Sequence, residues 1–547
     1  MKLDNKGFAL TSMIYMLIAL FLMIMLLVLS NLAQRKVILD KLKNDVKNKL
    51  DQGVTINATE LSYVNTNKHI YYETLQEALS NAESGNSIKV LKDTTELSPG
   101  AVTEGKEITL DLNGKTINSN GDSIINNGSL TITDTSVESS GTVIGTNRAV
   151  INQGTGTLVI ENGTYNQTAI GTETDAGTIL QNSTGTLTIN GGKIIAEDTT
   201  LLVNSPGKVT INDGTFESSD SENSYNIYSF SESNSNIEIN GGKIIGYQNE
   251  AIRINAGTLN IKSGEIEQRG NSYALRNNNT DSTGTINISG GTITASINNT
   301  IRNSSSGTIN ILGGTITQTG TSSAIANASN GTIEITGGNI KASESYAVNN
   351  ASSSAAPTVN VSGGTIEGIS GIYNQGLGTV NVSGNSIITG VNGTGIIGTI
   401  GTITVDGGTI TGTKDGISVS TSNGVSGSVT VTGGIITGGR IGIIAGSGNA
   451  SVTIGTDDGN VNTASPVIFS TNTSTESGHG TGIYIEGTGA TGTLNFYDGI
   501  VKGPLYSIRL RGSGATQNLP SSGLYEVENG TKVIDGVTYK TAKLKLK

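Results

Sequence analysis

Carboxylates and histidines are the residues of this sequence with which hydrolytic or metal chemistry would begin. A polysaccharide hydrolase or lyase needs several Asp or Glu side chains held close together, and a lyase also needs a basic residue. Acidic residues are scattered along this chain, and Asp457-Asp458-Gly459 contains the densest local pair. The pair lacks the spaced oxygen ligands of a dedicated calcium loop, so we interpret it as a solvated turn, with weak Ca²⁺ binding as the alternative.

The two histidines, His69 and His479, are separated by most of the chain, which argues against a shared metal or catalytic site. Cysteine is absent, which excludes disulfides and thiol chemistry. The sequence therefore predicts no catalytic residue, no cofactor and no metal ligand, and it predicts that the protein is not an enzyme.

Three arginines are the candidates for binding an anion. Arg276 and Arg302 stand in matching positions of two consecutive repeats, and Arg253 occupies a similar place in the preceding repeat. They predict a basic patch for an anionic glycan, with a solvated edge as the alternative. Tyrosines could add stacking platforms for sugar rings, although no regular spacing singles any of them out. These tyrosines are Tyr63, Tyr71, Tyr72, Tyr165, Tyr225, Tyr247, Tyr273, Tyr346, Tyr373 and Tyr484.

The repeat that carries these residues is clearest at residues 284–303, which read GTINISGGTITASINNTIRN. Ile286 and Ile288 alternate with polar residues, and the pair Gly290-Gly291 permits a sharp turn before the next alternating run. Eleven copies keep a glycine, or once an asparagine, in one column at steps of 21 to 28 residues. That column contains Gly192, Gly214, Gly242, Gly264, Gly291, Gly314, Gly338, Gly364, Asn385, Gly408 and Gly434.

Aliphatic residues keep the same register on both sides of the glycine column, and this indicates a solenoid in which each repeat is one coil. The repeats are rich in Thr, Ile, Gly, Asn and Ser, which favour strands and tight turns over helices. The sequence predicts an all-β fold, a parallel β-helix with three short strands and about 24 residues per coil. A right-handed winding follows from the general rule for parallel crossovers. About 16 coils would give a rod near 75–80 Å long.

A second column consists of asparagines that follow an aliphatic residue by two positions. Stacked Asn side chains can hydrogen-bond up and down a solenoid, as amide ladders do in cross-β assemblies. We predict a structural ladder here, with a polar binding stripe as the alternative. Its predicted members are Asn126, Asn152, Asn182, Asn204, Asn277, Asn303, Asn327, Asn350 and Asn374.

The charge of the chain is unevenly distributed. Residues 1–50 contain eight Lys or Arg and three Asp or Glu, which leaves 25 basic and 41 acidic residues in the remainder. An acidic body argues against binding of nucleic acid through the phosphate backbone, and it keeps an exposed array soluble.

Residues 8–29 form a run of 22 residues without a charge, which is long enough to cross a bilayer. Residues 35–50 then predict an amphipathic helix, because Ile38, Leu42 and Val46 recur at every fourth position. The sequence therefore predicts a single-pass membrane anchor. Lys and Arg are more numerous on the C-terminal flank of the run, which by itself favours a cytoplasmic array.

The N-terminal segment resembles a type IV prepilin leader, with a short basic start, Lys6-Gly7, and Phe8 opening a long apolar helix. In that family a peptidase cuts after the glycine, so the resemblance implies cleavage between Gly7 and Phe8. Pilins commonly carry Glu at the fifth mature position, where this chain has Ser12. That departure puts assembly into a pilus in doubt and leaves a plain membrane anchor as the alternative.

The two ends of the repeat array depart from its pattern. Residues 71–92 predict a helix capped by Thr74, which would cover the first coil, and residues 525–546 predict β-hairpins that close the last one. The helical entry, the segment ITLDLNGKTI at residues 108–117 and the GTxxIxGGxI coils together resemble surface-exposed right-handed β-helix proteins of bacteria, within the wider pectate-lyase-like class. This resemblance covers about residues 70–510.

Six regions are predicted: a leader (1–7), a transmembrane and amphipathic helix (8–50), a linker (51–69), an N-terminal cap (70–110), the β-helix repeats (111–512) and a C-terminal hairpin cap (513–547). The resemblances imply a membrane protein anchored through residues 8–29, with its array outside the cell. It would act as an adhesin or a structural stalk, with a carbohydrate or host-surface ligand.

Two alternative functions stay open, a polysaccharide-active enzyme with the same fold and a pilin-like assembly subunit. An ice-binding surface is disfavoured, because irregular coil lengths would disturb a flat lattice of threonines.

Overall fold

The computed structural model describes Lys36, Lys41, Lys43 and residues 61–547, apart from 170–176, 220–223, 231–233, 279–283, 353–354, 421–426, 447, 477 and 490. The chain separates into two units, Met1–Leu61 and Ser62–Lys547. In the first unit the three described lysines are helical and exposed. The predicted cleavage site at Gly7 and Phe8 and the apolar run lie outside the described residues. Within the described part of the chain, no helix has the length and apolar character needed to cross a bilayer.

The second unit is a parallel β-solenoid of about 17 coils, with about 24 residues and three strands in each coil. The predicted all-β parallel β-helix is therefore confirmed, whereas its right-handed winding stays a prediction. We name the three stacks of strands face A, face B and face C, in the order in which the chain passes through them in each coil.

Face A comprises Asn86–Val90, Glu107–Asp111, Ser129–Thr133, Thr157–Ile160, Leu187–Ile189, Lys208–Ile211, Asn236–Ile239, Thr258–Ile261, Thr285–Ile288, Thr308–Ile311, Thr332–Ile335, Thr358–Val361, Thr379–Val382, Ser451–Ile454, Gly492–Phe496 and Ala515–Asn518. Face B comprises Thr94–Glu96, Thr116–Ser119, Thr142–Gly145, Thr164–Gln167, Lys193–Ala196, Thr215–Ser218, Lys243–Gly246, Glu265–Gln268, Thr292–Ala295, Thr315–Gln318, Asn339–Ala342, Thr365–Gly368, Ile387–Gly390, Val467–Ser470 and Ile500–Gly503. The strands Thr402–Gly412 and Ser428–Gly438 continue from face A into face B.

Face C comprises Gly100–Val102, Asp122–Asn126, Arg148–Gly154, Ile179–Ser183, Leu201–Val203, Ile227–Ser229, Ile252–Ile254, Leu275–Asn277, Ile301–Asn303, Ile325–Asn327, Tyr346–Ser352, Ser370–Gly376, Ile396–Gly398, Asp415–Val419, Ile441–Ala445, Thr481–Glu486 and Tyr506–Arg511. Its strands pair in parallel, each with the strand one coil away.

The core is one continuous column of aliphatic side chains inside the coils. Ile288, Ile311 and Ile335 are direct partners in consecutive face A strands, and all three are fully buried. Because side chains alternate across a strand, the neighbours of each isoleucine along its own strand point outwards. The predicted stacking of these three isoleucines is confirmed.

The corner between faces A and B explains the column of glycines. Gly314 has a φ of +83°, a left-handed backbone that favours glycine, and a Cβ there would lie 2.8 Å from the carbonyl oxygen of Gly290 in the preceding coil. Each coil stacks closely on the last at this corner, so a side chain would disturb both coils.

The N-terminal end of the solenoid is covered by the helix Leu75–Ser80, whose N-cap Thr74 accepts a hydrogen bond from the Glu77 N–H at 3.2 Å. The predicted helix is therefore present, and Leu75 and Leu79 are buried in the core. Strands Tyr63–Asn65 and Ile70–Tyr72 pair with each other in antiparallel fashion, and the first also pairs with face A. The folded region thus begins inside the range predicted as a linker.

The C-terminal end is a single hairpin of Tyr525–Ile534 and Val537–Leu546, joined at Asp535-Gly536. Its second strand pairs in antiparallel fashion with Ile500–Gly503, the last strand of face B. The hairpin therefore extends the sheet at the far end of the solenoid.

Candidate functional site

Buried asparagines form a ladder on the inner side of face C. The Nδ2 of Asn126 donates to Oδ1 of Asn152 at 2.8 Å, and the same bond joins Asn327 to Asn350 at 3.2 Å and Asn350 to Asn374 at 2.8 Å. All five side chains are fully buried. Most also donate to a backbone carbonyl, such as Asn327 to Gly331 at 2.9 Å. A buried amide is costly without partners, so this ladder holds consecutive coils in place.

Two predicted members of the ladder, Asn182 and Asn204, lie outside it and are exposed. The strand register places Gln181 and Val203 in the column instead, and Gln181 accepts from the Nδ2 of Asn152 at 2.8 Å. A shift of one residue moves a side chain to the opposite side of a strand. Both segments contain adjacent aliphatic residues, so the sequence pattern did not decide which of these residues points into the core.

The outer side of face C carries the three predicted arginines. Arg253, Arg276 and Arg302 are direct partners in three consecutive strands and are half-buried. They point outwards because Asn277 and Asn303, the next residues along two of these strands, point into the solenoid. We name these three residues the arginine stripe. Consecutive strands lie about 4.8 Å apart, so the stripe presents a cation on each of three successive coils.

Tyrosine rings pack against the arginine stripe. The guanidinium carbon of Arg253 lies 5.6 and 5.3 Å from the ring centroids of Tyr225 and Tyr228. Tyr273 contacts both other members of the stripe, with centroid distances of 5.5 Å to Arg276 and 5.4 Å to Arg302. These distances are within the range of a cation–π interaction.

The charges around the stripe do not balance within the described residues. Glu250, whose side chain is 4% exposed, accepts from Nη1 of Arg276 at 2.9 Å. Arg253 donates to the Tyr225 hydroxyl at 2.8 Å, and Arg302 donates from Nε to the Ser304 hydroxyl at 3.1 Å. Among the described residues, one carboxylate therefore pairs with one of the three guanidinium groups, and this part of the surface keeps an excess of positive charge.

Burial by itself would lower the pKa of the Arg253 guanidinium. The Tyr225 hydroxyl, Glu250 and Tyr228 have the opposite effect, and the pKa of Arg253 is raised above its ordinary value. Arg253 therefore keeps its charge over the whole physiological pH range.

Tyr273 and Glu250 were not singled out in the sequence. Both occupy the corner position two residues before the buried aliphatic residue of a face C strand. The spacing Tyr-x-x-Arg at Tyr273 and Arg276 is the local signal that could have identified the tyrosine. Its contact with Arg302 depends on the stacking of coils.

The structure does not bring the other candidate residues together. His69 precedes the strand Ile70–Tyr72 at the N-terminal end of the solenoid, whereas His479 precedes the face C strand Thr481–Glu486 near the opposite end. Asp457 accepts from the Ser521 N–H at 3.0 Å, and Asp458 accepts from the Asn460 N–H at 2.8 Å, as in a turn. Among the described residues, no group of three or more His, Cys, Asp or Glu could hold a metal ion.

The fold and the stripe define a parallel β-solenoid with half-buried cations along the outer side of one face, beside the buried rings of Tyr225 and Tyr228 and the half-buried ring of Tyr273. Comparison of the chain with protein-family models, with curated proteins and with solved structures gives no match.

Proposed function

We propose that this protein is a cell-surface β-solenoid of the adhesin type that binds an anionic polysaccharide along the arginine stripe. The observation that carries the proposal is the in-register stack of three arginines and their tyrosines, which a single carboxylate partly neutralises. The remainder of the protein is acidic, so a local excess of positive charge on one face selects the orientation of an acidic ligand.

The chemistry of the stripe suits a sugar acid. A guanidinium is planar and carries five donors, which match the two oxygens of a carboxylate or the oxygens of a sulfate. Tyrosine rings provide apolar surface against the C–H groups of a sugar ring. Because the cations follow one another along the solenoid axis, a linear polysaccharide lying parallel to that axis can contact Arg276 and Arg302 together.

The proposal includes a membrane anchor at residues 8–29 and an extracellular array. It rests on the apolar run, on the prepilin-like leader and on the resemblance of the repeats to bacterial surface proteins. Protease treatment of whole cells, followed by mass spectrometry, tests the topology. Release of peptides from the repeats would support an extracellular array, and their release only after lysis would contradict it.

Binding to immobilised polysaccharides tests the function. The full chain should bind polygalacturonate and should not bind neutral dextran. The double variant Arg276→Gln/Arg302→Gln should lose most of this binding. Arg269→Gln is the matched control, because Arg269 is an exposed arginine after the face B strand of the same coil as Arg276 and is paired with Glu267 at 2.9 Å. Equal binding of dextran, or equal losses in the two variants, would contradict the proposal.

A further inference from the structure

A second Tyr-x-x-Arg segment lies at the C-terminal end of face C. Tyr506 and Arg509 belong to its last strand, and the guanidinium carbon of Arg509 lies 5.1 Å from the centroid of the Tyr506 ring. Arg509 is also 5.7 Å from the centroid of Tyr484, its direct partner in the preceding coil. One arginine here contacts two tyrosine rings, as Arg253 does with Tyr225 and Tyr228.

The terminal hairpin adds a second cation to this place. The Nζ of Lys540 lies 5.1 Å from the centroid of the same Tyr506 ring. A groove of about 450 Å³ lies here, between the last face C strand and the hairpin, and its walls include Ser507, Asn529, Thr531 and Thr541. This volume is within the range of pockets that hold small ligands. Lys540 therefore lines the groove together with hydroxyl and amide groups, and Arg509 lies beside the groove on the same Tyr506 ring.

Neither cation of the groove has an anionic partner among the described residues. The neighbouring Arg511 is paired with Glu486 at 3.3 Å, and Lys543 is paired with Glu528 at 3.0 Å. Arg509 and Lys540 make no such pair, and both are accessible. Further cations lie at this end of the solenoid. The pKa of Lys502 is lowered, first by burial and then by the positive charge of Lys532.

We propose that this groove is a binding site for a single acidic sugar, either a free monosaccharide or the end of a chain. The carboxylate would contact Lys540, which lines the groove, and Arg509, which packs on the Tyr506 ring beside it. The sugar hydroxyls would bond to the Ser, Thr and Asn side chains. A charged, paired hydrogen bond is stronger than a neutral one, so the carboxylate fixes the orientation.

This groove is separate from the arginine stripe. Eight coil steps along face C separate the strand of Arg302 from the strand of Arg509, which corresponds to about 40 Å at the usual strand spacing. One molecule of monosaccharide cannot contact both places. Loss of one site should therefore leave the other unchanged.

Ligand-observed NMR with the full chain tests the inference, with glucuronate, glucose and inorganic sulfate as probes. Glucuronate should bind, and the variant Arg509→Gln/Lys540→Gln should weaken its binding at least tenfold. Arg511→Gln is the matched control, since Arg511 is a nearby paired cation, and this variant should bind glucuronate as the original chain does. Arg302→Gln, measured in parallel, reports how much of the binding belongs to the stripe.

Three results would overturn the inference. Glucose that binds as well as glucuronate would show that the cations are not used. Sulfate that competes as effectively as glucuronate would reduce the site to a simple anion site. A loss caused by Arg302→Gln and not by the double variant would move the binding to the stripe. Thermal unfolding of the double variant at the original midpoint would show that the fold is intact.

Discussion

Faces A and C use the same coils in opposite ways. Face A directs isoleucines such as Ile286 into the core and Asn287 outwards, whereas face C directs Asn303 into the core and Arg302 outwards. On the outer side of face A, Asn287 donates to Asn260 at 2.8 Å. These outer amides bond to one another, and Glu238 and Glu334 stand in the same column, so the outer side of face A presents amides and carboxylates where face C presents arginines.

The difference shows why residue type alone does not identify the binding face. Asn ladders occur on both faces, inside one and outside the other, and in both places amides such as Asn303 and Asn310 bond to an amide of a neighbouring coil. Among the described residues, face C is distinguished by the arginine stripe, in which Arg276 is paired with a carboxylate and the other two arginines are not. Because buried amides already hold its coils together, the outward positions are left to charged and aromatic side chains.

Removal of an inner amide should produce the largest effect on stability. Asn327→Ala should lower the free energy of unfolding by about 2–4 kcal/mol, because the carbonyls of Gly331 and Thr358 and the Oδ1 of Asn350 each lose a donor. Asn310→Ala on the outer side of face A should cost less than about 1 kcal/mol, because solvent replaces its bond to Asn287. Chemical denaturation measures both, and equal losses would break the comparison.

Loss of one cation from the stripe should weaken ligand binding next most strongly. Arg302→Gln should raise the Kd for polygalacturonate roughly tenfold, since a bond to a charged group contributes about 1.5 kcal/mol. Arg302 has one polar partner in the described residues, Ser304, so the fold should be little affected. Asn310→Ala should leave the Kd unchanged. A larger rise in Kd with Asn310→Ala than with Arg302→Gln would show that the polysaccharide binds face A and not face C.

Variants of the Arg276–Glu250 pair separate the loss of charge from the loss of the ion pair, and we expect them to have a smaller effect. Arg276→Gln should destabilise the fold by about 1–3 kcal/mol, because it leaves the buried Glu250 without this partner. Addition of Glu250→Gln should recover most of that stability and restore the net charge of the stripe. The double variant should therefore bind polygalacturonate better than Arg276→Gln alone. If Glu250→Gln does not recover stability, the loss of the Arg276–Glu250 ion pair is not the cause of the destabilisation by Arg276→Gln.

The smallest expected effect is on the corners between faces A and B. Burial by itself would raise the pKa of Asp134, but the backbone N–H groups of Ser136 and Gly141 bond to its carboxylate and hold the pKa below its ordinary value of 3.8. A depressed pKa stabilises the fold above pH 4, and this contribution is lost as the pH falls through the folded-state value. Later corners use a glycine pair such as Gly290-Gly291 instead.

Thermal unfolding at pH 6 and at pH 3 tests this difference. Asp134→Asn should be less stable than the original chain at pH 6, and the gap should shrink at pH 3. Asp406→Asn is the control, because Asp406 stands exposed at a later corner, where it accepts from the Thr432 hydroxyl at 2.8 Å. A gap that grows on acidification would contradict the assignment.

Much of the fold could be predicted because aliphatic columns such as Ile288, Ile311 and Ile335 survive changes in coil length. Those changes are taken up at the corners, so Thr285 and Thr308 on the outer side of face A also stay in register. The uneven coil lengths predicted that a lattice of threonines would be disturbed, but Thr285 and Thr308 remain direct partners. Register could not be predicted where aliphatic residues are adjacent, as at Leu201-Leu202-Val203.

The candidate site could be predicted only in part. The matching positions of Arg276 and Arg302 were visible in the sequence, because both follow an aliphatic residue of the repeat. The corner residue Glu250 was not, and Tyr273 was one of ten candidate tyrosines that no spacing distinguished, since corner positions vary in type from coil to coil. Tyr273 is three residues from Arg276 but 29 from Arg302, and only the stacked coils bring it to both.

Arginine labelling tests the central claim most directly. The full chain is treated with an arginine-selective dicarbonyl reagent, with and without polygalacturonate, and the modified sites are quantified by mass spectrometry. Arg302 and Arg276 should be protected by the polysaccharide, whereas Arg269 on the neighbouring face should react at the same rate in both samples. Equal protection of all three arginines, or of none, would contradict face C as the binding surface.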